Sequence, residues 1–205
     1  RLLQRLTFKP KVLISASAVG YYGPQGENEL FENSDPVKCF THDVCLSWEQ
    51  EAYKASQYVN RLCIIRLGVV LGFSGGAIKD MYLPFKFGLG GRIGNGEQIF
   101  SWIHVKDVVN GMSYLVNNSN CCGIYNFTSP NPITNKGFAS AMGECLHKPT
   151  LISMPSFLIR ILFGEMGEEL LLKGQKVIPR RLQNEGFKYE YPEIKSALKE
   201  IFNGY

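Results

Sequence analysis

Ser17 closes a short apolar run, Val12-Leu13-Ile14-Ser15-Ala16-Ser17, and is the first residue whose placement could serve chemistry. The run reads as a buried strand, and in open α/β sheets ligands bind beyond the carboxyl ends of the strands. A hydroxyl there can hydrogen-bond a substrate oxygen; it can equally bond local backbone. Gly20, Gly23 and Gly26 follow at phosphate-loop spacing, but Pro24 removes an amide donor there. Glu27, Glu29, Glu32 and Asp35 would also repel a pyrophosphate, so a turn-rich loop is expected up to Pro36. Tyr82 and Lys86 have the spacing at which an ammonium lowers a phenol pKa for proton transfer, yet Pro84 sits between them. Trp102-Ile103-His104-Val105-Lys106-Asp107 is compact and distinctive. Asp107 is expected to cap a helix. Trp102 and His104 are candidates for a substrate cleft, with a satisfied core histidine as the alternative for His104.

The elements that must position these residues alternate. Strands are expected at Val12–Ser17, Leu62–Leu67 and Gly123–Phe127, and Gly68 to Gly76 reads as the exit loop of the second. Helices are expected at Asp43–Tyr58, at Ala77–Phe87 with Pro84 disturbing it, and from Asp107 to Val116. Another runs from an N-cap at Thr134 to Leu146. Short helical pieces follow at Phe157–Phe163, Glu168–Lys173 and Glu193–Phe202. This alternation implies an α/β fold, the C-terminal part of a doubly wound, Rossmann-like parallel sheet with a small helical C-terminal cap.

Composition excludes several classes. Hydrophobic residues are 45% and charged residues 20% of 205, which argues against disorder. The net charge of +4 is spread without a basic run, so no nucleic-acid partner is expected. No apolar run approaches the ~20 residues that span a bilayer, so no membrane partner is expected either. Cys39, Cys45, Cys63, Cys121, Cys122 and Cys145 show no C-x-x-C or zinc spacing. They read as reduced thiols in an intracellular, reducing compartment, with no metal site.

Five ordered stretches carry a resemblance: SASAVGYYG, THDVCLSWEQEA, RLGVVLG, GGAIKDMYLPFKFGLGGRIGNGEQIFSWIHVKD and GQKVIPRRLQNEGFKYEYPEIKSALKEI. Together they resemble the NAD(P)-dependent epimerase/dehydratase family, atypical or extended short-chain dehydrogenases/reductases, in the branch called epimerase family proteins. The resemblance implies an NADP-dependent oxidoreductase or epimerase-like protein acting on a small molecule. It implies that roughly a hundred residues with the glycine-rich phosphate loop are absent, the size of a βαβαβ half. Residues 1–148 would then be the C-terminal portion of the dinucleotide-binding domain, and 149–205 a family-specific cap over the cleft. Ser17 matches the family's strand-exit hydroxyl. Gly68, Val69 and Val70 fall where backbone would meet the nicotinamide side of NADP. Tyr21 and Tyr22 stand where a substitute proton donor could sit, because Thr41 and Cys45 occupy the positions of the family's Tyr-x-x-x-Lys pair. A non-catalytic dinucleotide-binding or regulatory protein, and an inactive truncated isoform, are the competing expectations. Self-association is left open.

Overall fold

The computed structural model describes residues 3–73, 75–157, 161, 164 and 168–203. Its centre is a three-stranded parallel sheet of β1 (Leu13–Ala18), β3 (Leu62–Leu67) and β7 (Gly123–Phe127) in the order β1-β3-β7. These strands form where the sequence predicts them, because runs such as Leu62-Cys63-Ile64-Ile65 suit strands buried on both faces. Alternation sends Leu62 and Ile64 to one face and Cys63 and Ile65 to the other.

Helix α1 (Phe40–Ala55) covers the first face, meeting Leu62, Ile64 and Leu13 through Ala52. On the opposite face, Val108 and Leu115 of α3 (Val105–Asn117) pack on Cys63, Ile65, Tyr125 and Phe127. Helices on both faces define the doubly wound α/β arrangement. Between them lie β4 (Val69–Leu71), α2 (Ala77–Lys86), β5 (Ile99–Phe100) and β6 (Trp102–His104). β4 pairs in parallel with β6, and β5 pairs antiparallel with β8 (Ile133–Thr134). Thr134 caps α4 (Asn135–Leu146) as expected, its hydroxyl accepting from Gly137 N at 3.1 Å. α2 tolerates Pro84 near its end, stopping two residues later.

Four expectations are corrected. The exit loop expected from Gly68 to Gly76 opens with strand β4, held by its parallel pairing with β6. The stretch expected to be loop from Gly20 to Pro36 contains a 3₁₀ turn at Val19–Tyr22 and a strand, β2 (Gly26–Leu30). β2 is polar because four of its five residues are exposed, and it pairs in parallel with the sequence-distant β9 (Gln175–Val177). Asp107 is not the N-cap of α3. His104 is, its Nδ1 accepting from Lys106 N, while Asp107 takes the amides of Glu190 and Tyr191 at 2.8 and 3.0 Å. Helix α1 begins at Phe40 and gives way to a 3₁₀ turn at Ser56–Tyr58.

The C-terminal segment enters both cores. Leu182 of α5 (Arg180–Asn184) and Phe187 join the α3 side, and Ala197, Leu198 and Ile201 of α6 (Ile194–Phe202) pack on Phe138 and Met142 of α4. Glu168–Lys173 forms a π-helical stretch. The helix expected at Phe157–Phe163 lies mostly outside the described residues. No helix among the described residues is long and apolar enough to cross a membrane.

Candidate functional site

Parallel register places Ser17 beside Arg66, and Arg66 beside Asn126. Each is a polar residue near the carboxyl end of its strand, and all three are buried on the α1 face. A charged guanidinium inside a sheet needs a carboxylate and its hydrogen bonds satisfied. α1 supplies it: Glu49, one turn beyond Cys45 on the buried stripe, takes Nε and Nη2 of Arg66 at 2.9 Å each. Arg66 is 1% exposed and Glu49 3%, so this is a fully desolvated, bidentate pair. Burial pulls the guanidinium pKa down, but the bonds to Glu49 raise it further, and Arg66 stays charged.

Ser17 Oγ donates to Glu49 Oε1 at 2.9 Å. With its proton committed there, the oxygen is left as an acceptor, and the Cys45 thiol lies within hydrogen-bond reach of it. The Cys45 thiol borders Ser17 and Ala18, and burial pushes its pKa up.

The two adjacent tyrosines part ways. Tyr22 is fully buried and donates to Asn126 Oδ1 at 2.7 Å; burial pushes its phenol up to about 12. Tyr21 is half-buried, with the Arg66 guanidinium 3.4 Å from its ring centroid. Its carbonyl accepts from His42 Nδ1 at 2.6 Å, and among the described residues nothing bonds its hydroxyl.

Gly68 steps the chain from β3 to β4 at the same end. A Cβ there would stand 2.7 Å from Ser101 O and 3.0 Å from Thr128 Cγ2, so only glycine fits. The Gly68 and Val69 amides are used by Phe127 O and Ser101 O. Val70 pairs with Ile103 in the β4–β6 ladder, and its side chain is half-buried.

Trp102 and His104 are interior rather than cleft-lining, at 0% and 1% exposure. Trp102 Nε1 donates to Asn131 O at 3.2 Å. His104 Nε2 lies 2.9 Å from Glu200 Oε2, off the line of a hydrogen bond, and its ring packs on Tyr191. Both residues hold the C-terminal segment to the domain.

Glu49, Arg66 and Asn126 were absent from the sequence-predicted site. Arg66 and Asn126 were signalled by their setting, since a polar residue inside an apolar strand requires a buried partner. Thr41, expected from the resemblance to stand at the family's tyrosine position, has its hydroxyl donating to Glu169 Oε2 at 2.7 Å. Nothing in the sequence around Glu169 announced that contact. Among the described residues no cluster of ligating side chains could hold a metal ion.

Comparison with known proteins identifies the family. The family model of the NAD dependent epimerase/dehydratase family matches residues 1–127, and a domain of unknown function, DUF1731, matches 154–201. The chain belongs to the NAD-dependent epimerase/dehydratase family. It is 42% identical over 193 residues to the Arabidopsis thaliana epimerase family protein SDR39U1 homolog, chloroplastic, covering 94% of this chain and 55% of that one. It is 36% identical over 197 residues to the Staphylococcus aureus epimerase family protein MW0731, covering 94% of this chain and 64% of that one. Among solved structures, human epimerase family protein SDR39U1 (isoform2) with NADPH superposes with TM-score 0.93 at 35% identity. That match covers 99% of this chain and 69% of the human one. The chain therefore spans 55% and 64% of the length of these two curated relatives.

Proposed function

We propose that the chain carries the nicotinamide and substrate ends of an NADP(H)-dependent oxidoreductase or epimerase-like site acting on a small molecule. The observation that carries this reading is the near-complete superposition on the human family protein solved with NADPH. The fit is consistent at the strand ends, where Val69 and Val70 offer half-buried apolar surface beside the Ser17 row. NADP(H) bound there would supply or accept hydride.

The chain's own residues would orient the reactants. Gly68, Val69 and Val70 present the exit of β3, and Ser17, its proton held by Glu49, accepts a hydrogen bond from a ligand hydroxyl or amide. Tyr21 is the proton donor of this reading, because its hydroxyl is uncommitted among the described residues. Tyr22, committed to Asn126 and pushed up to about 12, is a structural tie.

The sequence has no G-x-G-x-x-G fingerprint, so in this reading the cofactor phosphates are held by residues outside these 205. The outer edge of β1 supports that. β1 pairs with β3 alone among the described residues, yet Leu13 and Ile14 face opposite cores, as in an interior strand. Six free cysteines suit a reducing compartment.

A second reading, dinucleotide binding without catalysis, is favoured by Thr41 and Cys45. Neither is a phenol or an amine, Thr41 is committed to Glu169, and Cys45 is buried with a raised pKa.

Titration of NADPH fluorescence tests both. Micromolar affinity is expected for an N-terminally extended version and none measurable for the chain alone. An extended version that fails to bind overturns the proposal. Turnover of carbonyl compounds should fall with Ser17→Ala and with Tyr21→Phe; tight binding without turnover would leave the second reading standing.

A further inference from the structure

The N-terminus of α1 is capped from far along the chain. Its flanking residue Cys39 makes no side-chain cap. Instead Glu169 accepts from Phe40 N at 3.2 Å, from Thr41 N at 2.9 Å and from Thr41 Oγ at 2.7 Å. Two of the helix's orphan amides are thereby satisfied by one carboxylate. Burial alone would raise the Glu169 pKa, but the donors of Thr41, Cys39 and Phe40 outweigh it and hold the carboxyl below its ordinary value.

This contact lies over the end of the molecule where β1 exits. A Cβ at Gly20, in the turn after Ser17, would stand 3.1 Å from Thr41 Cβ, and Cys39 Sγ would stand 3.2 Å from a Cβ at Gly23. On the far side of Gly174 the chain is fastened differently. Gly174 has a φ of 63° and packs against Ile99 so closely that a Cβ would stand 2.4 Å from Ile99 O. Beyond it the chain is anchored mainly through its backbone, with the Lys176–Glu29 ion pair outside. Ser101 Oγ donates to Gln175 O and accepts from Val177 N, Thr128 Oγ1 donates to Val177 O, and Ile178 N donates to Leu30 O.

We propose that residues 168–173 are a strap across the strand-exit end, hinged at Gly174 and latched to the first turn of α1 by the Glu169 carboxylate. Released, the strap uncovers Thr41 beside the turn that follows Ser17. Latched, it commits the Thr41 hydroxyl and closes that side. The gating role rests on the functional reading above, while the latch itself stands on the contacts alone.

Trypsin reads the latch directly, because Lys173 precedes the hinge and Arg66 lies in the core. In Glu169→Gln, cleavage after Lys173 is expected to accelerate about tenfold relative to wild type, the scale of a lost charged hydrogen bond. Arg66 should stay uncut. Glu27→Gln, which makes the same charge change at an exposed position of β2, should not reproduce the effect. Thr41→Val keeps the carboxylate and both amides and should accelerate cleavage by a smaller factor. Equal rates in Glu169→Gln and Glu27→Gln overturn the proposal. So does cleavage at Arg66 in step with Lys173 in both the Glu169 and Thr41 variants, since the contact would then belong to the global fold. NADPH titration of the N-terminally extended version is independent of this result: failure to bind there, with the protease pattern intact, would sink the functional reading and leave the strap.

Discussion

Ser17, Arg66 and Glu49 form one unit whose members cannot be removed alone without consequence. Arg66→Met leaves the Glu49 carboxylate buried with only Ser17 as donor. Breaking a buried pair from one side costs about 3–5 kcal/mol. Replacing both partners, as in Arg66→Met with Glu49→Leu, should restore much of that, because no uncompensated charge remains. Ser17→Ala should cost only about 1 kcal/mol, since Arg66 still satisfies Glu49. Urea unfolding of the four proteins checks the order, and an Arg66→Met variant as stable as wild type would remove the pair from the structural account. Arg66 was legible as an anomaly within an apolar strand. Its partner was not, because Glu49 reads as an ordinary helix-surface charge until α1 is docked on that face of the sheet.

At the scale of elements, the entry into α3 makes stability depend on pH. Burial lowers the His104 pKa below its ordinary value, outweighing the opposing pull of Glu200 and Asp107. The unfolded chain then binds a proton more readily than the folded one. Stability from this group is complete above about pH 6.5 and is lost as the pH falls toward the folded pKa. His104→Asn keeps a capping acceptor without a titrating ring and should flatten the urea-midpoint profile between about pH 6.5 and 5. An unchanged slope would show that another group governs it. The β3–β4 step is equally specific. Gly68→Ala forces a methyl toward the Ser101 carbonyl and should destabilise by about 1–3 kcal/mol, as overpacking does. The strands and α4 were readable from apolar runs and the Thr134 cap. β2 was not, because its pairing energy comes from β9, and a polar strand has no local signature.

For the whole molecule, the C-terminal segment is part of the fold rather than an attachment. Val177, Leu182, Leu198 and Ile201 are all buried, and each full burial is worth about 1.5–3 kcal/mol. Their sum rivals a typical total stability of about 5–15 kcal/mol. A chain ending before Gln175 should therefore lose cooperative unfolding by circular dichroism in urea. A sharp transition in that shortened chain would show that the segment caps a self-sufficient domain.

The sequence by itself determined the parallel α/β alternation, the strand-exit position of Ser17, and the family, because these rest on local periodicity and on residues in order along the chain. Only the tertiary structure decided which polar groups meet. Parallel register set Ser17, Arg66 and Asn126 in one buried row, and helix docking brought Glu49 to it. The return of the C-terminus laid Glu169 on Thr41 and enclosed His104. Desolvation is what makes those partners matter, and it exists only once distant elements have packed.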